Sequence, residues 1–287
     1  MVVASRAGTS GGRAMRGRHS RATRLGASRA RADIDPGWPP SPATLPSVRI
    51  AVLSDIHSNI VALDTVLAAA GPVDAVWHLG DVVGYGPEPD RVVDRLREIG
   101  AVGVRGNHDA AAVGGAEIEW FNPDARAAME WTRTAIAKRT RDWLAALPER
   151  RVEAGCTLVH GSPRDPIWEY VTSVPVARAN LLELATTVGW HGHTHLPIAF
   201  RDDDGRVEVI TPGHDSSVGL DERTVLLNPG SVGQPRDGDP RAGFAVYDTD
   251  AARVGWYRVA YDIEAVQAAM IDAGLPARLV ARLSVGV

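Results

Sequence analysis

The feature that most constrains the fold is an apolar strand that opens a repeating strand–helix pattern. Residues 48–53 have almost no polar interruption, as is typical of a parallel strand covered on both faces. A helical pattern follows at 62–69, then a strand at 75–79, a helix at 88–99 and a strand at 101–104. This order predicts parallel strands joined by right-handed crossovers.

Shorter predicted strands follow a largely helical stretch at 123–143, for which Asn122 is the predicted N-cap. We predict these strands at 151–153, 156–160, 188–191, 198–201, 207–210, 224–227, 243–248 and 254–259. Helices at 263–273 and 276–283 close the pattern. The sequence therefore predicts an α/β protein (α+β in some schemes), in which a two-sheet β-sandwich is flanked by helices in a single domain over 48–287.

Residues 1–47 differ from the rest of the chain in composition. They hold eight Arg, two Asp and five Pro and show no apolar period, which predicts a disordered tail. A targeting peptide and a nucleic-acid-binding arm are open alternatives to an unstructured extension. The tail has a net charge of +6 and the whole chain a net charge of −4, so residues 48–287 have a net charge of −10. This negative net charge argues against a protein that binds duplex nucleic acid through the phosphate groups.

A single cysteine and the absence of long apolar segments narrow the class of protein further. Cys156 has no partner for an intramolecular disulfide, which fits a reducing compartment, so we expect a cytoplasmic protein. Its place in a predicted buried strand favours a packed thiol over a reactive one. No stretch approaches the roughly 18 uninterrupted apolar residues of a membrane span, so we expect no membrane partner.

Five short polar blocks come at the ends of predicted strands. They are Asp55-Ile56-His57, Gly80-Asp81, Gly106-Asn107-His108-Asp109, His160-Gly161 and Gly192-His193-Thr194-His195. They supply carboxylates, imidazoles and one amide, which together are ligands for divalent metal ions. Ligands at the carboxyl ends of parallel strands share one sheet edge, where such folds place their sites. In extended chain, the i, i+2 spacing of the first and last blocks would also direct paired side chains to the same face.

In this order the blocks resemble the calcineurin-like metallophosphoesterase superfamily, whose pattern is D-x-H, G-D, G-N-H-D/E, H and G-H-x-H. The resemblance covers residues 48 to about 260. The segments 84–88 and 228–236 further resemble the compact bacterial, phosphodiesterase-type branch of the superfamily. The resemblance implies a four-layer fold and a metal-dependent hydrolase acting on phosphodiesters or phosphomonoesters.

The resemblance also implies two divalent ions held by seven residues, one of which is shared. One ion is bound by Asp55, His57, Asp81 and His195, and the other by Asp81, Asn107, His160 and His193. Such donors suit Mn²⁺, Fe²⁺, Zn²⁺ or Ni²⁺. With two ions, two carboxylates and one bridging hydroxide, the site carries a charge of about +1 and attracts a phosphoryl group. The hydroxide is the expected nucleophile.

His108 is predicted to assist catalysis without binding metal. It lies next to Asn107, so we expect it to protonate the leaving oxygen or to stabilise the charge on that oxygen. Asp109 is then expected to orient the imidazole of His108. Three other histidines receive no catalytic role, because His78 and His191 lie in predicted strands and His214 in a predicted surface loop.

Three aromatic residues are candidate substrate contacts. Tyr85 follows Asp81, while Trp168 and Tyr170 follow His160, and their rings could stack on a base or a sugar. Loop packing is the alternative, and it stays open from the sequence. We expect a small phosphorylated substrate, with nucleotides among the candidates, and no stable nucleic-acid partner. A homo-oligomer is also left open.

Two basic residues near these blocks have alternative roles. Arg164 and Arg236 either hold a second phosphate oxygen or pair with surface carboxylates, and we favour pairing. Two competing functions use the same fold. One is a metal-binding or protein-interaction module without catalysis, and the other is a nuclease. The complete ligand pattern argues against the first, and the negative net charge of residues 48–287 argues against the second.

Overall fold

The computed structural model describes residues 48–115 and 118–287, and the predicted tail at 1–47 lies outside the described residues. The strands are β1 (Arg49–Leu53), β2 (Ala75–His78), β3 (Val102–Gly103), β4 (Arg150–Glu153), β5 (Cys156–Val159), β6 (Val188–Trp190), β7 (Pro197–Asp203), β8 (Arg206–Ile210), β9 (Ser216–Gly219), β10 (Val225–Pro229), β11 (Ala242–Asp248) and β12 (Arg253–Val259). The α-helices are α1 (Ile60–Ala70), α2 (Pro89–Glu98), α3 (Asn107–Ala112), α4 (Pro123–Ala135), α5 (Lys138–Ala146), α6 (Val174–Leu181), α7 (Ile263–Asp272) and α8 (Ala277–Arg282).

The strands form two six-stranded mixed sheets. The first has the order β3-β2-β1-β11-β12-β9 and the second the order β4-β5-β6-β10-β7-β8. Strands β1, β2 and β3 are parallel, with Ala51 opposite Val76 and Trp77 opposite Val102. The parallel opening predicted from the apolar first strand is therefore confirmed. In the second sheet, β5, β6 and β10 are parallel and the other pairs are antiparallel.

The two faces of β1 explain its uninterrupted apolar sequence. Ile50 and Val52 point into an apolar layer between the sheets, where they meet Trp77 and residues of the second sheet. Ala51 and Leu53 point to the other side, where α1, α2 and further helices cover the first sheet. The four apolar side chains of the strand are therefore removed from water, whereas Arg49 at its start is only partly buried.

A second helical layer covers the outer face of the second sheet. Ala177 and Leu181 of α6 pack against Phe200 of β7 and Leu226 of β10. The order of layers is helices, first sheet, second sheet and helix. The predicted α/β sandwich flanked by helices is confirmed.

Some elements differ from the prediction. The helical stretch at 123–143 is divided between α4 and α5, because Ile136 and Ala137 are extended. Ile136 is buried there, and the N–H of Ala137 donates to the Asp90 carboxylate at 3.0 Å, which offsets the lost helical bond. The elements α3, α6 and β9 were not predicted. Within the described residues, no helix is both long enough and apolar enough to cross a membrane.

Candidate metal centre

The seven predicted metal ligands converge at the ends of strands from both sheets. The first sheet supplies four of them, in the segments that follow β1, β2 and β3. The second sheet supplies three, after β5 and between β6 and β7. The seven are all buried: Asp55, His57, Asp81, Asn107, His160, His193 and His195. These positions agree with the prediction that the seven residues lie close together at the ends of strands.

Five of the seven have a left-handed backbone, with φ between 50° and 65°. They are Asp55, His57, Asp81, His193 and His195. A non-glycine residue in this region costs on the order of 1 kcal/mol or more, and such residues cluster at functional sites. The argument from extended chain was therefore wrong about the backbone. The left-handed backbone of these residues, not strand geometry, directs their side chains.

The first cluster consists of Asp55, His57 and His195. The Nε2 atoms of the two imidazoles are 3.2 Å apart, and Asp55 Oδ1 is 3.3 Å from His195 Nε2. The Nδ1 atoms donate to backbone carbonyls, those of Val83 and Gln234. In neutral rings this leaves the Nε2 lone pairs facing each other. A bound cation satisfies both lone pairs at once.

The second cluster is organised in the same way around His160. Its Nδ1 donates to the carbonyl of Leu79 at 2.8 Å, so Nε2 is the nitrogen that faces the cluster. That Nε2 lies 3.0 Å from Asn107 Oδ1, 3.1 Å from His193 Nδ1 and 3.4 Å from Asp81 Oδ2. A backbone carbonyl that fixes the far nitrogen is the usual arrangement behind a metal-binding histidine.

Asp81 lies between the two clusters. Its Oδ2 is 3.4 Å from His160 Nε2 and 3.7 Å from His57 Nε2, while its Oδ1 accepts the backbone N–H of His108 at 2.9 Å. Among the described residues, Asp55 Oδ1 and His193 Nε2 are buried without a hydrogen-bond partner. Buried polar atoms without partners are costly, so this donor set fits divalent ions that would satisfy them.

Burial and opposite charge compete at the acidic groups of the site. Burial raises the pKa of Asp55 to about 7, against the attraction of His160. Burial also opposes ionisation of Asp81, yet the attraction of His160 prevails and holds the pKa of Asp81 well below its usual range. Burial likewise opposes a charge on His160, but the carboxylates outweigh it and raise the pKa of His160 to about 9. The electrostatic potential of the centre therefore favours the binding of a cation.

The other imidazoles of the clusters behave differently. Burial lowers the pKa of each well below its usual value, and the residues concerned are His57, His193 and His195. These rings are neutral at pH 7 and therefore present a lone pair. Neutral imidazole is the form that binds a metal ion.

His108 lies against the centre, but Asp109 does not orient it. The His108 ring is 4.4 Å from the Tyr85 ring and its Nδ1 is buried without a partner among the described residues. The two carboxylate oxygens of Asp109 accept the backbone N–H groups of Val83 (3.1 Å) and Gly106 (2.9 Å). The expected pairing of Asp109 with His108 is wrong. Asp109 instead fixes the loops that carry the ligands.

The imidazole of His108 also approaches the candidate ligands. One of its nitrogens, a nitrogen of His57 and an oxygen of Asp81 all lie within 4.8 Å of one another. Burial lowers the pKa of His108 to about 4, against the attraction of Asp81. Phe121 also packs against the ring, at 4.7 Å between centroids. His108 is thus held as a neutral ring at the wall of the centre.

The three predicted aromatic contacts do not share one position. The ring of Tyr85 is 4.6 Å from that of His57, and the ring of Tyr170 stacks on His193 at 3.7 Å. Trp168 packs at 6.1 Å from Phe121 and does not line the cleft described next. Tyr85 and Tyr170 are therefore placed beside the centre, whereas Trp168 packs against the apolar layer that includes Phe121.

A cleft of about 550 Å³ opens beside the centre between Tyr85 and Tyr170. Its basic lining residues are Arg236, Arg278 and Arg282. The guanidinium group of Arg236 donates to Gln234 Oε1 at 2.8 Å and lies 5.8 Å from the Tyr85 ring. Among the described residues Arg236 pairs with no carboxylate, contrary to the preference stated above.

Other charged or ionisable residues take up the following positions. Arg164 does pair with a carboxylate, that of Glu169 at 3.1 Å, as favoured. His78 and His191 are fully buried, in accord with their assignment to the core. Arg278 and Arg282 were missed, because they belong to no motif and only the fold brings α8 to the cleft.

Comparison with known proteins agrees with this geometry. The family model for the calcineurin-like phosphoesterase superfamily domain matches residues 48–252. An uncharacterized protein of Methanocaldococcus jannaschii is 33% identical over 245 residues, which are 83% of this chain and 98% of that protein. A metallophosphoesterase structure from Sphaerobacter thermophilus is 42% identical and has a TM-score of 0.78, covering 84% of this chain and 100% of that one.

A more distant structure shows the same fold. A hypothetical protein from Pyrococcus horikoshii OT3 is 19% identical with a TM-score of 0.70, and the match covers 84% of this chain and 99% of that one. The family match spans all the clustered side chains described above, including Asp55 near its start and His195. The chain therefore belongs to the calcineurin-like phosphoesterase superfamily.

Proposed function

We propose that the protein is a phosphoester hydrolase that acts with two divalent metal ions. The observation that carries the proposal is the position of Asp81, whose Oδ2 faces both imidazole clusters at 3.4 and 3.7 Å. A single carboxylate oriented to two sets of nitrogen donors is what a pair of ions requires. Family membership supports the same reaction class.

The clusters suggest which residues hold each ion. The first ion would be held by Asp55, His57, Asp81 and His195, and the second by Asp81, Asn107, His160 and His193. When bound, such ions acidify water to supply a nucleophile at neutral pH and offset the negative charge of a phosphoryl group. The backbone carbonyls behind His57, His160 and His195 keep the donor nitrogens oriented.

His108 would act on the leaving group. Its ring packs against Tyr85, which lines the cleft, and against Phe121, so it is held close to the cleft and to the centre. From that position its N–H can donate to the leaving oxygen and stabilise the charge that develops there. Asp109 contributes indirectly, because it holds the Gly106 and Val83 amides of the surrounding loops.

The cleft favours a small phosphorylated substrate, including nucleotides. Its volume of about 550 Å³ lies within the usual size of small-molecule sites. The phenol ring of Tyr170, which is about half exposed, would offer a flat surface for a base or a sugar, whereas Tyr85 is buried and would have little free surface for stacking. The negative charge of residues 48–287 disfavours a long nucleic acid as the substrate.

One assay tests the proposal. Metal-stripped protein is supplied separately with Mn²⁺, Zn²⁺, Ni²⁺ and Mg²⁺ and assayed with bis-p-nitrophenyl phosphate and p-nitrophenyl phosphate. We expect turnover of at least one ester, dependent on added metal. The variant Asp81→Asn should lose it, whereas Asp142→Asn, a change at an exposed residue of α5, should not. Tight metal binding without turnover of either ester would instead indicate a binding module.

A further inference from the structure

The three arginines of the cleft form a series that leads away from the metal centre. Arg236 is nearest, because its guanidinium group lies 5.8 Å from the Tyr85 ring, which is itself 4.6 Å from the His57 ring. Arg282 comes next, beside Tyr85. Arg278 is farthest, 4.0 Å from Asp124 at the start of α4. Positive charge therefore extends from the centre along one wall of the cleft.

This positive charge is compensated only in part, through Asp124 beside Arg278. Within the described part of the chain, neither Arg236 nor Arg282 contacts a side-chain carboxylate within 4.0 Å. Arg282 donates through Nε to the main-chain oxygen of Val287. Burial and the neighbouring Arg236 hold the pKa of Arg282 below its usual value. An anion between the two guanidinium groups would relieve their repulsion, and guanidinium binds phosphate oxygens in pairs.

The helix that carries two of these arginines is firmly anchored. Leu279, Val280 and Leu283 are buried in the apolar layer that also holds α1 and α2. The guanidinium groups of α8 are thus presented from a fixed base. This helix lies beyond residues 48–252, the part that matches the family model.

We infer that Arg278 and Arg282 bind a second phosphoryl group of the substrate, while the first occupies the metal centre. The inference rests on the proposed function and deepens it. It defines the substrate class as small phosphoesters that carry at least one further phosphoryl group. Arg236 would lie between the two groups and contact either. A simple monophosphate ester would leave the outer two arginines unused.

The test compares two ligands that differ by one phosphoryl group, thymidine 5′-monophosphate and thymidine 3′,5′-bisphosphate. Their dissociation constants are measured by calorimetry on the metal-loaded full-length protein, and also as inhibition constants against bis-p-nitrophenyl phosphate. We expect the wild type to prefer the bisphosphate by about tenfold or more. In the double variant Arg278→Gln/Arg282→Gln the preference should fall to about twofold or less.

The matched control is Arg206→Gln, which removes an exposed arginine from strand β8, outside the cleft lining, and should keep the wild-type preference. Circular dichroism and thermal unfolding verify that each variant is folded. A wild-type preference near one, or a preference that survives in the double variant, refutes the inference. A preference that depends on the arginines, with no turnover of either ester, would refute the proposed function and leave the anion site in place.

Discussion

Substitution of Gly106 by alanine should test whether the close packing of Gly106 against Asp81 positions this shared ligand. The backbone of Gly106 has φ −94° and ψ 176°, a conformation that alanine adopts without strain. A Cβ atom at this position would lie 2.1 Å from Asp81 Oδ1 and 2.3 Å from the backbone N of Asp81. An ordinary contact is about 3.5 Å, so the two segments must separate by roughly 1.4 Å. No flexible side chain can absorb this shift, because backbone is involved.

Two effects of this displacement can be estimated. Overpacking of this kind typically costs about 1–3 kcal/mol of unfolding free energy, which lowers Tm by roughly 2–12 °C for a domain of this size. Asp81 faces both clusters, and metal–ligand distances tolerate only about 0.2 Å. We therefore expect metal affinity to fall by at least about 10–100-fold.

The assay combines thermal unfolding of the metal-stripped protein with calorimetric titration of Mn²⁺ or Zn²⁺. The matched control is Gly213→Ala, because a Cβ atom there meets nothing within 4 Å and the backbone φ is not left-handed. That variant should keep its metal affinity and its stability within about 1 kcal/mol. If Gly106→Ala binds metal like the wild type, the close approach of Gly106 to Asp81 does not position the shared ligand, and the reasoning fails.

Further expectations concern three other residues. His108→Ala should retain its metals and lose roughly 10²–10⁴-fold in rate, and an equal rate would remove His108 from the leaving-group role. Asp81→Ala should lose metal as well as activity, and a fully loaded variant would contradict the shared position. Burial raises the pKa of Cys156 to about 11, so thiolate is scarce at pH 8, and Ellman's reagent should label this thiol only after unfolding. Rapid labelling of the folded protein would show that the thiol is accessible.

The sequence was most informative where a residue's role follows from its strand. The uninterrupted apolar residues of β1 require cover on both sides, and this alone places a sheet between two layers. Polar residues directly after such strands must then meet at one edge. Asp55, Asp81 and Asn107 were predicted at one edge for this reason, whereas His160, 3.4 Å from Asp81, was assigned to the same site only through the family resemblance.

The sequence was least informative where a role depends on long-range placement. Asp109 is adjacent to His108, yet its carboxylate is used by backbone amides whose positions no local pattern reveals. The left-handed turns at Asp55 and His57 were missed because the surrounding packing, and not residue type, imposes them. Arg282 carries no motif, and it reaches the cleft only because α8 packs on the helical layer.

The division of the donors between two sheets has a consequence for the mechanics of the protein. Neither sheet alone supplies all seven candidate ligands. The site therefore depends on the apolar layer around Trp77 and Trp190, which holds the two sheets together. An ion bound by donors from both sheets would link the two sheets, and it would stabilise only the folded state in which they are packed together. Metal affinity should therefore depend on core packing, and substitutions in the core that are far from any ligand should change it.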